Sequence, residues 1–161
     1  MDDIVAVTFE HPDHAYIGLT RLKELDDQGQ IALLEAGVIE RDAQRRLLVK
    51  DTVDDHDRPV RDTLEGGAEG LLIGALGGPI GLLVGVMAGG ILGAAADLSP
   101  KDEADGVLAT YARHIGNGQT AVLAHVQEPN GEIVDAAMSA LGGSVLRDAT
   151  SDVSAELKRA A

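Results

Sequence analysis

Cysteine is absent from the 161-residue chain, which excludes disulfide frameworks, thiolate zinc sites and thiol nucleophiles. Aromatic residues are nearly absent as well: Phe9, Tyr16 and Tyr111 are the whole set. A pocket that stacks a flat ring, or a platform that stacks bases, draws on more of them. Positive charge is scarce, with 13 Lys and Arg against 27 Asp and Glu and a formal net charge of −14. Nucleic-acid binding rests on cations that neutralise phosphates, so no nucleic-acid partner is expected. Attraction to an anionic lipid surface fails for the same reason. The opening MDDIVAVTFEH carries no basic segment, so it does not read as a secretory signal. The expected location is the cytoplasm or the inner membrane reached from it.

What the chain has is apolar substance, 45% of residues, too much for a disordered acidic polymer. Its length suits a single folded unit. Charge divides it into zones. Residues 1–61 hold 14 acids and 8 bases, residues 98–161 hold 9 and 5, and residues 62–97 hold only Asp62, Glu65, Glu69 and Asp97. Two mixed flanks therefore enclose an apolar centre.

In the first flank, Ile4 to Phe9 is short, β-branched and apolar, the pattern of a buried strand. Pro12 and Asp13 suit a helix start, and Ala15, Leu19, Leu22 and Leu25 recur at helical spacing up to a stop at Gly29. Strands follow at Ile31–Ile39 and Arg46–Asp51, joined by the polar turn Asp42–Arg45 as a hairpin. Asp51 to Asp62 reads as an acid-rich solvated linker. In the second flank, Lys101–Ile115 is an amphipathic helix with Val107, Leu108, Tyr111 and Ile115 inward. Thr120–Val126 is a strand, Ile133–Leu141 a helix and Ser144–Arg147 a strand. The tail, residues 149–161, adds one exposed helix over Ser151–Lys158.

The flanks resemble weak copies of each other. Ala6-Val7-Thr8-Phe9-Glu10-His11-Pro12 leads into a helix, a glycine and a strand, and Ala121-Val122-Leu123-Ala124-His125 leads through Pro129 into the same order. Two β-α-β units can share one four-stranded sheet with both helices on one face, the ferredoxin-like arrangement of an α+β fold. The expected organisation is residues 1–61 as the first half with hairpin and linker, 62–97 as an inserted glycine-rich helical hairpin, and 98–148 as a helix plus the second half.

The centre carries the most specific pattern. Gly66, Gly70, Gly74 and Gly78 are spaced by four; Pro79 follows; then Gly81, Gly85, Gly89 and Gly93 are spaced by four again. Glycine costs about 1 kcal/mol per helix position relative to alanine. Close approach of helices along a stripe without side chains is the usual compensation. Proline removes a donor and clashes with the preceding turn, so the segment reads as a helical hairpin, about 62–77 and 80–96. Leu71 to Ala96 is uncharged for 26 residues, long enough to cross a membrane as one helix. Yet aromatic belts and flanking cations are missing, and a single crossing would separate the two halves of the sheet. Packing inside an oligomer and contact with lipid both remain open. Self-association satisfies either, because a helix apolar on all sides has to be covered.

These features resemble a bacterial family named DUF1269, described as a membrane protein of unknown function, and more distantly the general-stress glycine-zipper proteins. The resemblance runs over about residues 3–148. It rests on Ala6-Val7-Thr8-Phe9, Leu22-Lys23-Glu24-Leu25, Glu35-Ala36-Gly37-Val38-Ile39 with Arg41-Asp42, and Gly74-Ala75-Leu76-Gly77-Gly78-Pro79-Ile80-Gly81. It continues through Gly89 to Asp97, Ala121-Val122-Leu123 and Leu141-Gly142-Gly143-Ser144-Val145-Leu146-Arg147. It implies membrane association and a part in stress physiology, and supplies no catalytic residues.

Chemistry is thin elsewhere. His11 and His14 at a helix start are weak metal candidates without a third ligand fixed by sequence, and capping or surface roles suit them better. His114 near a helix end complements the dipole. His125 reads as a residue of a sheet face. Asp54-Asp55-His56-Asp57 lacks the glycine turn and downstream Glu of a calcium loop. The glycine segment lacks the GK[ST] of a phosphate loop, and no serine sits in an elbow motif. The expectation is a non-enzymatic homo-oligomer without a cofactor, whose partners are its own copies and membrane lipid. The alternative is a small-molecule or metal-binding ferredoxin-like module.

Overall fold

A computed structural model describes residues 1–44, 46–54, 78–89 and 106–160. In chain order these form β1 (Asp2–Phe9), α1 (Pro12–Asp27), β2 (Ala32–Arg41), β3 (Leu47–Asp54) and α2 (Gly78–Gly89). They continue as α3 (Val107–His114), β4 (Thr120–Gln127), α4 (Glu132–Ala140), β5 (Ser144–Ala149) and α5 (Thr150–Ala160). The fold is α+β: the five strands make one sheet in the order β3-β2-β4-β1-β5, every neighbouring pair antiparallel.

Both faces of the sheet are covered, which explains why β1 and β4 read as nearly continuous apolar runs. Alternation marks a sheet with one wet face, and these strands have none. On one face Val5, Val7 and Phe9 of β1 and Val122, Ala124 and Val126 of β4 pack with Leu19, Leu22 and Leu25 of α1 and Val134 and Met138 of α4. On the other, Ile4 and Ala6 of β1, Ala121 and Leu123 of β4 and Ile39 of β2 pack with α2, α3 and α5. Truncating one of these large side chains to alanine costs roughly 2–5 kcal/mol.

Local chemistry sets the ends of the elements. Pro12 opens α1 with Asp13 in its first turn, and the His11 side chain makes no capping bond. Asp26 near the helix end accepts the Leu33 amide at 3.0 Å, which turns the chain into β2. The β2–β3 hairpin closes on Asp42, whose carboxylate accepts the amides of Gln44 at 2.9 Å and Arg46 at 2.8 Å. Short α3 is fastened from outside at both ends. Glu156 of α5 accepts the Val107 and Leu108 amides at 2.8 and 3.1 Å. At the other end, Arg41 Nε donates to the Ile115 carbonyl at 2.8 Å.

Three expectations change. The tail helix is not exposed: Val153 and Leu157 of α5 are buried in the core beside α2 and α3, because their i, i+4 spacing gives it an apolar stripe. β3 runs to Asp54, three residues past the expected start of the linker, since Thr52 and Val53 continue the ladder opposite Gly37 and Ala36. The hairpin strand expected at Arg46–Asp51 joins the same sheet as its fifth strand, and a second helical layer covers the face opposite α1 and α4, where helices on one face were expected. Residues 55–77 and 90–105, which include His56, the first arm of the expected hairpin and the start of the helix expected from Lys101, lie outside the described residues.

Candidate functional site

Helix α2 holds the described part of the glycine pattern, and it has two different sides. Ile80, Leu83, Val84 and Met87, at i, i+3, i+4 and i+7, are buried in the core, and the helix packs on β2, β3 and β4 and beside α3 and α5. One residue is a turn of about 100°, so Gly81, Gly85 and Gly89 run along a neighbouring side, each one position after Ile80, Val84 and Ala88. Gly81 is buried and Gly85 half-buried. Leu82, next on the wheel, is 60% exposed. The large side chains thus hold α2 to its own sheet, and the glycines run along the adjoining side. Gly66, Gly70, Gly74 and Gly93 lie outside the described residues.

The start of α2 is built around a carboxylate. Gly78 has a φ of +69°, a left-handed conformation that glycine adopts without cost, and Pro79 supplies no N–H. The next donor, the Ile80 amide, meets Oε2 of Glu35 at 3.3 Å. Glu35 projects from β2, its side chain buried with the residue only 6% exposed. A Cβ on Gly78 would sit 2.8 Å from that same Oε2, so the position has room for the carboxylate only as glycine. Opposite Glu35 in the β2–β4 register is His125, whose Nε2 lies 2.7 Å from Asp2 Oδ1. The nearby Thr150 side chain, then the bonds from Gln127 and His125, outweigh its partial burial and hold its carboxyl down at about 2.

A second polar cluster lies at the opposite edge. Arg147 of β5 donates to Asp3 at 2.7 Å, Glu128 at 2.6 Å, Asp135 at 2.7 Å and the Gly131 carbonyl at 3.1 Å. Glu128 also accepts the Val134 amide of α4 at 3.1 Å, and its backbone carbonyl accepts from the Met1 ammonium. Burial opposes the guanidinium charge, but the carboxylates of Asp135, Asp3 and Glu128 more than offset it and push its pKa up. The cluster joins β1, the β4–α4 turn, α4 and β5, which is a structural role.

The histidines fall out separately. His11 and His14 meet edge to face with ring centroids 5.4 Å apart. His114 in the last turn of α3 lies 2.9 Å from the Ser144 carbonyl. Among the described residues no three His, Asp or Glu side chains come together as a metal site. Also among the described residues, no helix is long and apolar enough to cross a membrane. No side chain of α2 titrates, so what it offers is contact rather than proton transfer.

Sequence reasoning found α2 and missed its partners. Glu35 stood in a strand motif, yet an acid inside an otherwise apolar run was the available signal, and its meaning depends on the distant Gly78. Arg147 closed another motif, with its carboxylates up to 144 positions away.

A comparison with protein families matches residues 63–161 to the family described as "Protein of unknown function (DUF1269)". The match takes in α2 through α5 and leaves β1, α1, β2 and β3 outside it. Neither curated proteins nor solved structures yielded a match.

Proposed function

The chain belongs to the DUF1269 family, and from that premise we propose that it is a non-enzymatic protein that assembles with copies of itself. The glycine-registered segment around α2 supplies the contact. The observation that carries this is the pair of i, i+4 glycine registers in the sequence, Gly66–Gly78 and Gly81–Gly93, together with helix α2, which is itself uncharged and leaves Leu82 60% exposed. Glycine at that spacing favours close helix approach, and the inward side of α2 is occupied by larger residues. A cytoplasmic assembly, or one against the inner membrane with lipid as a further contact, belongs to this reading, as does a role in stress. The charge of −14 keeps such assemblies from coalescing.

The ferredoxin-like architecture is part of the same proposal. Its support is the strand order β5-β1-β4-β2 within the sheet, with α1 and α4 on one face, as two interleaved β-α-β units would give. β3 then extends the edge.

Light scattering after size exclusion tests the assembly. Wild type should run at a multiple of 16.7 kDa, and replacement of Gly74, Gly85 and Gly89 together by leucine should lower that mass by forcing helices apart. An unchanged mass in the triple variant ends the proposal. A carbonate-washed membrane fraction that retains the protein would assign the contact to lipid as well.

A further inference from the structure

The geometry points to Glu35 as a latch that docks the start of the glycine helix α2 onto the sheet, so that loss of its carboxylate loosens α2 while the rest of the fold stands. The inference rests on the reading of α2 as the contact element and adds how its exposure is controlled. Two observations and one general preference meet at one point. A buried carboxylate is costly unless it is bonded, and Glu35 accepts the Ile80 amide, the first N–H that α2 offers after Pro79. Negative charge at a helix N-terminus is favourable through the aligned peptide dipoles. Gly78, a member of the first glycine register, is shaped to Glu35 rather than to another helix, because any side chain there would displace the carboxylate.

Apolar contacts supply a second hold on α2. Ile80, Leu83, Val84 and Met87 pack in the core between the sheet and α3 and α5. β1, β4, α1 and α4 form a second cluster on the opposite face without any residue of α2. Detachment of α2 therefore leaves that half of the core intact and presents four large apolar side chains.

Hydrogen exchange on the full chain, read by mass spectrometry, tests this in Glu35→Ala and Glu35→Gln. In Glu35→Ala, amides of residues 80–89 should lose protection by at least about tenfold, the scale of a hydrogen bond to a charged group. Amides of β1, β4 and α1 should stay within about twofold of wild type. Glu35→Gln, which keeps an acceptor oxygen but no charge, should fall between and serves alone if the alanine variant does not fold. Unchanged exchange in 80–89 overturns the latch. So does an equal loss across β1 and β4, which would make Glu35 a general core residue. Light scattering of the triple glycine variant reports on assembly independently, so the latch can fail while assembly stands, and the reverse.

Discussion

The Tyr111 hydroxyl donates to the Ile4 carbonyl at 2.8 Å, a buried bond that fastens α3 to the middle of the sheet. Burial, then the negative charge of Asp148, pushes the phenol far above its usual range, so it stays a donor at every pH the fold survives. Tyr111→Phe keeps the ring and removes this buried bond. The expected cost is about 1–3 kcal/mol, read as a lower urea midpoint with an unchanged slope.

Arg147 faces three carboxylates, two of them on buried residues, Asp3 and Glu128. Arg147→Met should cost roughly 3–5 kcal/mol, since uncompensated buried charge is left behind. Adding Asp3→Asn and Glu128→Gln to that variant should recover a large part of the loss. Denaturant melts of the single and triple variants check both statements, and equal stability of the two would refute the charge argument.

Asp148 and Asp2 should respond to acid in opposite directions. Burial, then Asp152, Glu156 and Asp3, push the Asp148 carboxyl above 3.8, against the pull of the Tyr111 hydroxyl. The folded state then holds the proton more tightly than the unfolded chain, so this group removes stability as pH rises from 3.8 through its folded value. Asp148→Asn should therefore stabilise the protein at about pH 7, and the gain should fade on acidification. Asp2 is held at about 2, below its ordinary 3.8, so its contribution is present above 3.8 and disappears as pH falls towards 2. Asp2→Asn should destabilise at about pH 7 and match wild type below about pH 2. Unfolding free energies measured between about pH 2 and 7 should show the two opposite slopes.

Gly142 and Gly143 are adjacent but constrained for different reasons. Gly142 has a φ of +78° and open space where a Cβ would stand, with no atom within 4 Å, while a Cβ on Gly143 would lie 2.9 Å from the Met138 carbonyl oxygen and 2.5 Å from Val7 Cγ1. Gly142→Ala should cost about 1 kcal/mol from backbone conformation alone. Gly143→Ala should cost more, because backbone has to shift. Thermal melts that reverse this order would refute the turn geometry.

Leu82 separates assembly from folding. It is 60% exposed on α2, so Leu82→Ser should change stability by no more than about 0.5–1 kcal/mol, as surface positions do. In light scattering the same variant should shift to lower mass at micromolar concentration if α2 is the contact between copies.

Much of the layering could be read from residues alone. β1 and β4 announced burial through nearly continuous apolar runs, and α1 announced itself through Pro12 and the Ala15–Leu25 stripe. α5 was legible only weakly: two large apolar residues among polar ones, Val153 and Leu157, read as a surface helix until the second layer over the sheet is known. In α2 the regular glycines masked an equally regular set, Ile80, Leu83, Val84 and Met87, which decides the inward side. The polar clusters were not legible, because Glu35–Ile80, Asp3–Arg147 and Tyr111–Ile4 each join residues brought together only by the finished sheet.

The place of β1 has a consequence for biosynthesis. Both of its neighbours, β4 and β5, are made from residues 120–149, so β1 stays without either partner until more than a hundred further residues have been translated. α2 emerges in the meantime, and β4, which helps to cover it, starts only at Thr120, well after the helix ends at Gly89. Folding dominated by such distant pairings is slow. During that interval α2, the most apolar helix among the described residues, has only β2 and β3 of its own sheet to pack on, and the rest of its surface is open to a chaperone, a bilayer or a neighbouring nascent copy.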